Sequence, residues 1–293
     1  MDGAIIVDKP TGWTSHDAVA RMRRLADTRR IGHLGTLDPI ATGVLPLVIG
    51  RATRLSQFYT RSEKVYEATI RFGFATDTYD REGVPASPDC EPYIDPAQVD
   101  RALDRFRGTF LQMPPPVSAK KLAGVPAYKM PREKAARELM PVKVQVWEAQ
   151  VVGVERRDAR VSVRCSAGTY LRAIAHELGQ ALGCGAHLLE LRRTKSGEFT
   201  IDDSRSIAEL ENLTRQGKLE EALVAGPRLL PDFPCEYVDD LMESQIRQGR
   251  DFAVSPFRVS RGAKYVKAVS RAGSLVAIGE IRLPNLYHPF VVL

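Results

Sequence analysis

The amino-acid sequence predicts a two-domain α+β protein, with mixed and antiparallel sheets, peripheral helices and a small β-rich tail. Strand-like and helical segments follow one another in the first 75 residues. Strands return between residues 144 and 165 and precede another helix. Beyond a cluster of prolines, two more strands are predicted. The 293 residues, 44% of them hydrophobic, are enough for a core and for a second, smaller domain.

The N-terminal region contains a strand, a helix and a second strand. Residues 4–7 form a short apolar strand, which the Lys-Pro-Thr-Gly sequence at 9–12 ends. Ser15 is the predicted N-cap of a helix that continues to Leu25, because its hydroxyl can accept a bond from a free helical N–H. Residues 66–72 alternate between the two faces of a strand, as expected when one face is buried.

The middle of the chain combines an acidic connector with a basic segment. Residues 77–104 are acidic and rich in turn formers, which predicts a solvated connector leading into a helix over 96–106. Residues 112–143 form a basic stretch, with seven Lys and Arg against two Glu. Residues 159–165 are predicted as a strand and residues 170–182 as a helix.

The C-terminal tail is predicted to be a separate, β-rich module. Three prolines within residues 227–234 mark its start, because proline interrupts regular structure. Residues 264–270 and 275–283 are expected to pair as a hairpin. We therefore predict domains of residues 1–229 and 230–293.

Composition and missing motifs exclude several classes of protein. The net charge of +6 suits an acidic partner. No apolar run approaches the roughly 20 residues of a membrane helix, and no secretion signal is visible, which predicts a cytoplasmic protein. Four widely spaced cysteines argue against a zinc site and a disulfide framework. P-loop, GxGxxG and HExxH motifs are absent, and residues 77–80 form a plain acidic turn rather than a calcium loop.

One constrained loop, residues 32–45, contains a candidate catalytic carboxylate. Three glycines and a proline surround Asp38 there. Asp38 could close a structural turn by bonding to its own backbone before Pro39. The same carboxylate could instead serve as a nucleophile or a base held by a rigid loop. The loop by itself does not separate these alternatives.

Seven short motifs, in order along the chain, resemble those of the bacterial tRNA pseudouridine-55 synthases, the TruB family. They are residues 9–15 (KPTGWTS), 32–46 (GHLGTLDPIATGVLP), 64–68 (KVYEA), 115–121 (PPVSAKK), 165–172 (CSAGTYLR), 183–187 (GCGAH) and 191–193 (LRR). The tail more weakly resembles a PUA-type RNA-binding module. The resemblance implies the pseudouridine-synthase catalytic fold, followed by a small PUA-like barrel.

The resemblance also implies the reaction and its catalytic residue. A uridine in the T-loop of tRNA would be converted to pseudouridine: the N1–C1′ bond breaks, the base rotates, and C5 bonds to C1′. Asp38 is implied as the catalytic aspartate, which either attacks C1′ or removes a proton from C2′ to give a glycal. This isomerisation needs no cofactor and no metal.

Five further site residues are implied by position in the family motifs. Arg172 would pair with Asp38, although it could also be a surface cation on a helix. Tyr66 would stack on the target base near C5, whereas without the motif it would be a core tyrosine. Tyr170 and Leu191 would wall the uridine pocket, or simply pack in the core. His33 would lie beside the flipped nucleotide, or it could be a histidine whose hydrogen bonds are made within its own turn.

RNA contacts are expected from two basic surfaces. The first is the segment 112–143, which resembles the family's T-loop-binding segment but departs from it around Met130 and Pro131. The expected backbone contacts there are Lys120, Lys121, Lys129 and Arg132. In the tail, a basic run would contact the acceptor end of tRNA; its members are Arg258, Arg261, Lys264, Lys267 and Arg271. Lys9 is expected to support the active-site loops or to contact phosphate, and its position in the family motif favours the structural role. A monomer without an obligate protein partner or membrane contact is predicted.

Two other functions remain open on sequence. The chain could be a related synthase acting on other RNA, such as the guide-dependent enzymes of ribosomal RNA. It could also be a tRNA-binding or RNA-folding module. Activity on a bare tRNA transcript, without added protein, would argue against a guide-dependent synthase. Insensitivity to Asp38→Asn in every assay would identify a binding module.

Overall fold

The computed structural model has the predicted α+β class, with a large mixed sheet, peripheral helices and a smaller C-terminal sheet. The residues it describes are 1–117, 121–122, 125–126, 139–257, 259 and 262–293. Several predicted RNA contacts fall outside the described residues, namely Lys120, the side chain of Lys121, Lys129, Arg132, Arg258 and Arg261.

The described strands form three sheets. Their bounds are β1 Gly3–Lys9, β2 Ile31–His33, β3 Ala41–Ile49, β4 Lys64–Phe72, β5 Gly108–Gln112, β6 Lys121–Leu122, β7 Val125–Pro126, β8 Val142–Glu155, β9 Asp158–Cys165, β10 Ala186–Ser196, β11 Phe199–Thr200, β12 Arg205–Ser206, β13 Val224–Ala225, β14 Cys235–Val238, β15 Phe252–Ala253, β16 Tyr265–Ser270, β17 Leu275–Leu283 and β18 Leu286–Val292. The main sheet has the order β12-β1-β3-β10-β4-β9-β8-β5, with β2, β11 and β13 attached at its sides. The tail sheet runs β14-β16-β17-β18-β15, and β6 pairs with β7. Because β10 is parallel to β3 and antiparallel to β4, the main sheet is mixed.

The helices lie at the periphery. The α-helices are α1 Ser15–Leu25, α2 Ser56–Tyr59, α3 Pro96–Leu103, α4 Leu171–Ala181, α5 Ile207–Arg215 and α6 Asp240–Arg247. Short 3-10 helices cover Gly50–Leu55, Asp104–Phe106, Ile201–Asp203, Leu219–Ala222 and Gly226–Arg228. Within the described ranges, none of these helices combines the length and the apolar character needed to cross a membrane.

The N-cap of helix α1 lies one residue earlier than the sequence predicts. Its N-cap is Thr14, whose side chain accepts from the Asp17 N–H while the Asp17 carboxylate accepts from the Thr14 N–H. This reciprocal capping box satisfies two backbone donors at the helix start. The predicted N-cap Ser15 was therefore wrong, and its hydroxyl is free for a tertiary contact with Leu37.

Other predicted elements agree with the structure. Strand β4 alternates between buried and more exposed positions, as the sequence pattern indicates. The helix predicted over 96–106 is α3 followed by one 3-10 turn, and the predicted tail hairpin is β16 and β17. The small sheet is consistent with a PUA-like module.

The tail shares a hydrophobic core with the main domain. Strand β17 places Leu275 and Ile278 against a cluster that includes Ile6 and Val48 of the main sheet. Its Val276 packs instead into a core within the tail. A domain of this size buries little apolar surface by itself, so the shared cluster adds stability to it.

Lys267 of the predicted basic run does not face solvent. It is 3% exposed, and its ammonium group donates to the carbonyl oxygens of Pro227 and Leu229 at 2.9 and 3.0 Å. The expected RNA contact at this position was wrong, because the lysine secures the chain that leads into the tail.

Candidate active site

All six residues implied for catalysis or uridine binding line one cleft of about 680 Å³. These residues are His33, Asp38, Tyr66, Tyr170, Arg172 and Leu191. They come from the end of β2 and the loop that follows it, from β4 and β10, and from the N-cap and first turn of α4. The fold therefore brings together side chains that are distant along the chain. Among the described residues, no cluster of three or more metal-ligating side chains is present.

Side chains of Ser15 and Lys9 bind the backbone of the loop that carries Asp38. The Leu37 N–H donates to the Ser15 hydroxyl at 2.8 Å, and that hydroxyl also contacts the Leu37 carbonyl oxygen at 3.2 Å. The Lys9 ammonium, fully buried, donates to Trp13 and more weakly to Pro39. Lys9 thus supports this loop, as expected from its position in the sequence.

Asp38 is paired with Arg172, as the family resemblance implies. Arg172 Nε lies 2.9 Å from Asp38 Oδ2. The arginine is 4% exposed and is the second residue of α4, so it is not a surface cation. The Asp38 side chain is 28% exposed to the cleft, which leaves its carboxylate accessible to a ligand. Its side chain faces the arginine, which favours the functional alternative over a structural turn.

Asp80 is a functional candidate that the sequence prediction missed. Its Oδ2 lies 3.3 Å from Arg172 Nη1, and the Thr78 carbonyl oxygen accepts from the same Nη1 at 3.2 Å. Asp80 is 4% exposed, so the solvated connector predicted for 77–104 was wrong at this position. Its only sequence signal was an acidic turn, which is too common to identify a buried carboxylate.

Tyr66 lies in the floor of the cleft on β4. It is paired with Arg193 of β10 across the sheet. Burial raises the pKa of Tyr66, so its hydroxyl remains protonated at neutral pH. The side chain is buried like a core tyrosine and yet lines the cleft, so both alternatives describe part of its environment.

The remaining predicted residues form walls of the cleft. His33 ends β2, and burial, with the nearby charge of Arg193, lowers its pKa, so the imidazole is neutral at pH 7. Gln112 clamps the backbone of Tyr170: Tyr170 N–H donates to its amide oxygen at 2.8 Å, and its amide donates to the Tyr170 carbonyl oxygen at 3.0 Å. Leu191 is paired with Ala41 and Ala68 at the centre of the sheet.

Two buried cations near Asp38 were not assigned a role from sequence. Arg193, 1% exposed, donates to the carbonyl oxygens of Val44 and Gly35 at 2.7 and 3.1 Å. Lys64 donates to the Ser196 hydroxyl at 2.9 Å. Arg193 thereby ties the loop that carries Asp38 to β10 and places a positive charge at the floor of the cleft.

Burial of Lys64 predicts a pH-dependent contribution to stability. Burial, followed by the positive charge of Arg193, lowers the pKa of Lys64 from 10.5 to about 7. Below pH 7 the amine is charged in both the folded and the unfolded protein, so the folded protein bears the full cost of burying that charge. Between pH 7 and 10.5 the folded amine has released its proton while the unfolded amine retains it, so stability rises with pH.

We therefore compare wild type with Lys64→Met by urea denaturation at pH 7, 8 and 9. The unfolding free energy of wild type minus that of Lys64→Met should increase with pH, by at most about 1.4 kcal/mol per pH unit. Cys165 stays protonated in this range, because burial raises its pKa to about 11. Lys218→Met, at a lysine that is 55% exposed, serves as the control and should show a constant difference. A constant difference for Lys64→Met as well would contradict the prediction.

Comparisons with known proteins identify relatives of this chain. Residues 23–171 match the family described as TruB family pseudouridylate synthase (N terminal domain), and residues 172–231 match the tRNA pseudouridylate synthase B C-terminal domain. The chain is 58% identical, over 100% of both chains, to tRNA pseudouridine synthase B of Solibacter usitatus (strain Ellin6076). It is 46% identical to tRNA pseudouridine synthase B of Thermobifida fusca (strain YX), over 76% of this chain and 79% of that protein. Among solved structures it is similar to a chain in the crystal structure of a Cbf5-Nop10-Gar1 complex, with a TM-score of 0.72 and 25% identity over 98% of this chain and 83% of that chain.

Proposed function

This chain belongs to the TruB family of pseudouridylate synthases, and from that membership we propose that it isomerises uridine to pseudouridine at position 55, in the T-loop of tRNAs. The observation that carries the proposal is the pair of Asp38 with the buried Arg172 in a cleft that Tyr66 also lines. It is an isomerase that acts on tRNA.

We assign Asp38 the reactive role, and its position in the cleft supports this assignment. Its carboxylate is accessible from the cleft, whereas its partner Arg172 is buried and already occupied. The charge of the guanidinium, with Nε 2.9 Å from Oδ2, attracts the carboxylate and restrains its position. Asp38 therefore meets the sugar of the substrate, either by attack on C1′ or by removal of the C2′ proton, while Arg172 fixes its position.

The cleft suits a single nucleotide taken out of an RNA stack. An enzyme that acts on a base inside folded RNA must extrude it into a pocket and stack it on apolar or aromatic side chains. Tyr66 offers an aromatic face, and Leu191 and Tyr170 offer walls on either side. The neutral imidazole of His33 can occupy space next to the extruded uridine without adding charge.

Recognition of tRNA is assigned to the surfaces around this cleft. We place the T-arm against the basic segment 112–143 and the acceptor end against the tail, with domains of 1–229 and 230–293. Phosphate contacts and shape suit a folded RNA, with base-specific reading confined to the cleft. We propose a cytoplasmic monomer that acts without a protein partner.

The comparisons give the alternatives less support. The relatives in Solibacter usitatus and Thermobifida fusca are named for tRNA, and their identities exceed that of the Cbf5 chain. A binding-only module has no use for a carboxylate that faces a cleft and is paired with a buried arginine.

Release of tritium from C5-labelled uridine in a bare tRNA transcript tests the proposal, because C5 exchanges its hydrogen for the bond to C1′. Carbodiimide mapping of the product locates the modified nucleotide. We expect release without any added protein or guide, at position 55. Tight binding of tRNA without release would contradict the proposal and favour a binding module or a guided enzyme.

Tyr66→Phe tests the role of the tyrosine hydroxyl. The ring remains available for stacking, whereas the hydroxyl that would lie near C5 is lost. We expect the single-turnover rate to fall by about 10²-fold, the lower range for loss of a group that assists proton transfer. The Kd for tRNA should stay within a few-fold of wild type. An unchanged single-turnover rate would limit Tyr66 to stacking.

A further inference from the structure

The turn that delivers Asp80 to Arg172 contains a strained residue. Tyr79 has φ of +68°, in the left-handed region that a bulky side chain rarely adopts. Such a conformation persists only where surrounding contacts stabilise it. Two backbone bonds hold this turn to β10: the Leu188 N–H donates to the Tyr79 carbonyl oxygen at 2.9 Å, and the Arg81 N–H donates to the Leu188 carbonyl oxygen at 3.0 Å.

The Tyr79 side chain supplies a separate contact, to helix α4. Its ring stacks on His176, with centroids 3.8 Å apart and an angle of 13° between the planes. Burial lowers the pKa of His176, so the imidazole is uncharged at neutral pH and stacks as a neutral ring. Gln180, four residues further along the helix, contacts His176 Nε2 at the edge of the ring, at 3.0 Å.

His176 stands one helical turn after Arg172 on the same face of α4. The turn and the helix therefore meet at two adjacent points. At one, Thr78 and Asp80 contact the Arg172 guanidinium. At the other, the Tyr79 ring covers His176. If loss of the stacking between Tyr79 and His176 displaced the turn, the contacts of the turn with Arg172 would change as well.

We infer that Tyr79 and His176 are positioning residues for the isomerisation, because their stacked rings hold the strained turn at the place where Asp80 orients Arg172 and, through it, Asp38. This inference rests on the proposed function. Neither ring touches Asp38, so the pair acts on the orientation of the ion-pair network and not on the substrate.

Single-turnover tritium release and tRNA binding are measured for Tyr79→Ala, His176→Ala and Tyr79→Phe. Both alanine variants should lower the rate by about tenfold, the factor that 1.4 kcal/mol corresponds to. Tyr79→Phe keeps the ring and should retain the wild-type rate. The Kd for tRNA should not change. Tyr93→Ala is the matched control, because this tyrosine lies in the same connector and is 90% exposed; it should behave as wild type.

Two further variants separate positioning from general stability. Tyr79→Gly removes the ring but adopts a positive φ without strain, so it should be more stable than Tyr79→Ala and still be slow. In an Asp80→Asn background, Tyr79→Ala should cause little additional loss, because the network it orients is already broken. A wild-type rate for Tyr79→Gly, or losses that multiply fully in the double variant, would overturn the inference. Absence of release from wild type would overturn the proposed function and this inference with it.

Discussion

Asp38→Asn is expected to abolish turnover while leaving tRNA binding within a few-fold of wild type. Asparagine keeps the size of the side chain and an oxygen that can accept from Arg172. It can neither attack C1′ nor take up a proton from C2′. We expect the rate of tritium release to fall by at least about 10⁴-fold, as when an enzyme loses its central reactive group.

The matched control for this change is Asp77→Asn. It removes a carboxylate from the turn near Arg172 without touching the loop that carries Asp38, and its carboxylate accepts from the Val84 N–H. Release should then stay within a few-fold of wild type. If Asp38→Asn lost tRNA binding and thermal stability along with activity, Asp38 would instead be a structural residue of its loop.

Arg172→Met is expected to have the second largest effect, on both rate and stability. Methionine has a similar length but no charge, so it leaves Asp38 and the buried Asp80 facing each other without their cation. Removal of one partner from a buried ion pair typically costs about 3–5 kcal/mol of unfolding free energy. The single-turnover rate should fall by about 10²-fold or more, because misplacement of a reactive group by 1 Å can cost that much.

Urea denaturation and tritium release measure the two effects separately. Adding Asp80→Asn to Arg172→Met should recover part of the lost stability, since it removes one of the two uncompensated carboxylates. It should not recover the rate, because Asp38 still lacks its partner. Arg105→Met is the control: this arginine is half exposed and pairs with Glu177 on the outer side of α4 at 3.6 Å. A wild-type rate for Arg172→Met would contradict the proposed arrangement.

These two predictions concern residues that the sequence identified in different ways. Asp38 stood out by itself, because glycines and a proline around one aspartate indicate a constrained loop. Arg172 was assigned only by resemblance to a family, since an arginine in a helix is ordinarily a surface residue. Its burial beside Asp38 is a property of the fold.

Local structure was predicted well wherever it depends on neighbours in the chain. The alternation of β4 and the hairpin of β16 and β17 follow from the periodicity of side chains and from turn residues. The N-cap of α1 was misplaced by one residue because Thr14 and Ser15 can both cap a helix. Only the tertiary contact of Ser15 with Leu37 separates their roles.

By itself, the sequence determined the α+β class, the loop around Asp38 and the order of the motifs that indicate a uridine-isomerising enzyme. Only the tertiary structure showed that Asp80 and Lys64 are buried, and that Lys267 holds the junction with the tail. The reason is that the environment of a charge depends on which strands become neighbours. Asp80 meets Arg172 across 92 residues, through the packing of a turn against α4. Periodicity fixes which face a side chain occupies, whereas its partner on that face is decided by the assembly of the sheet.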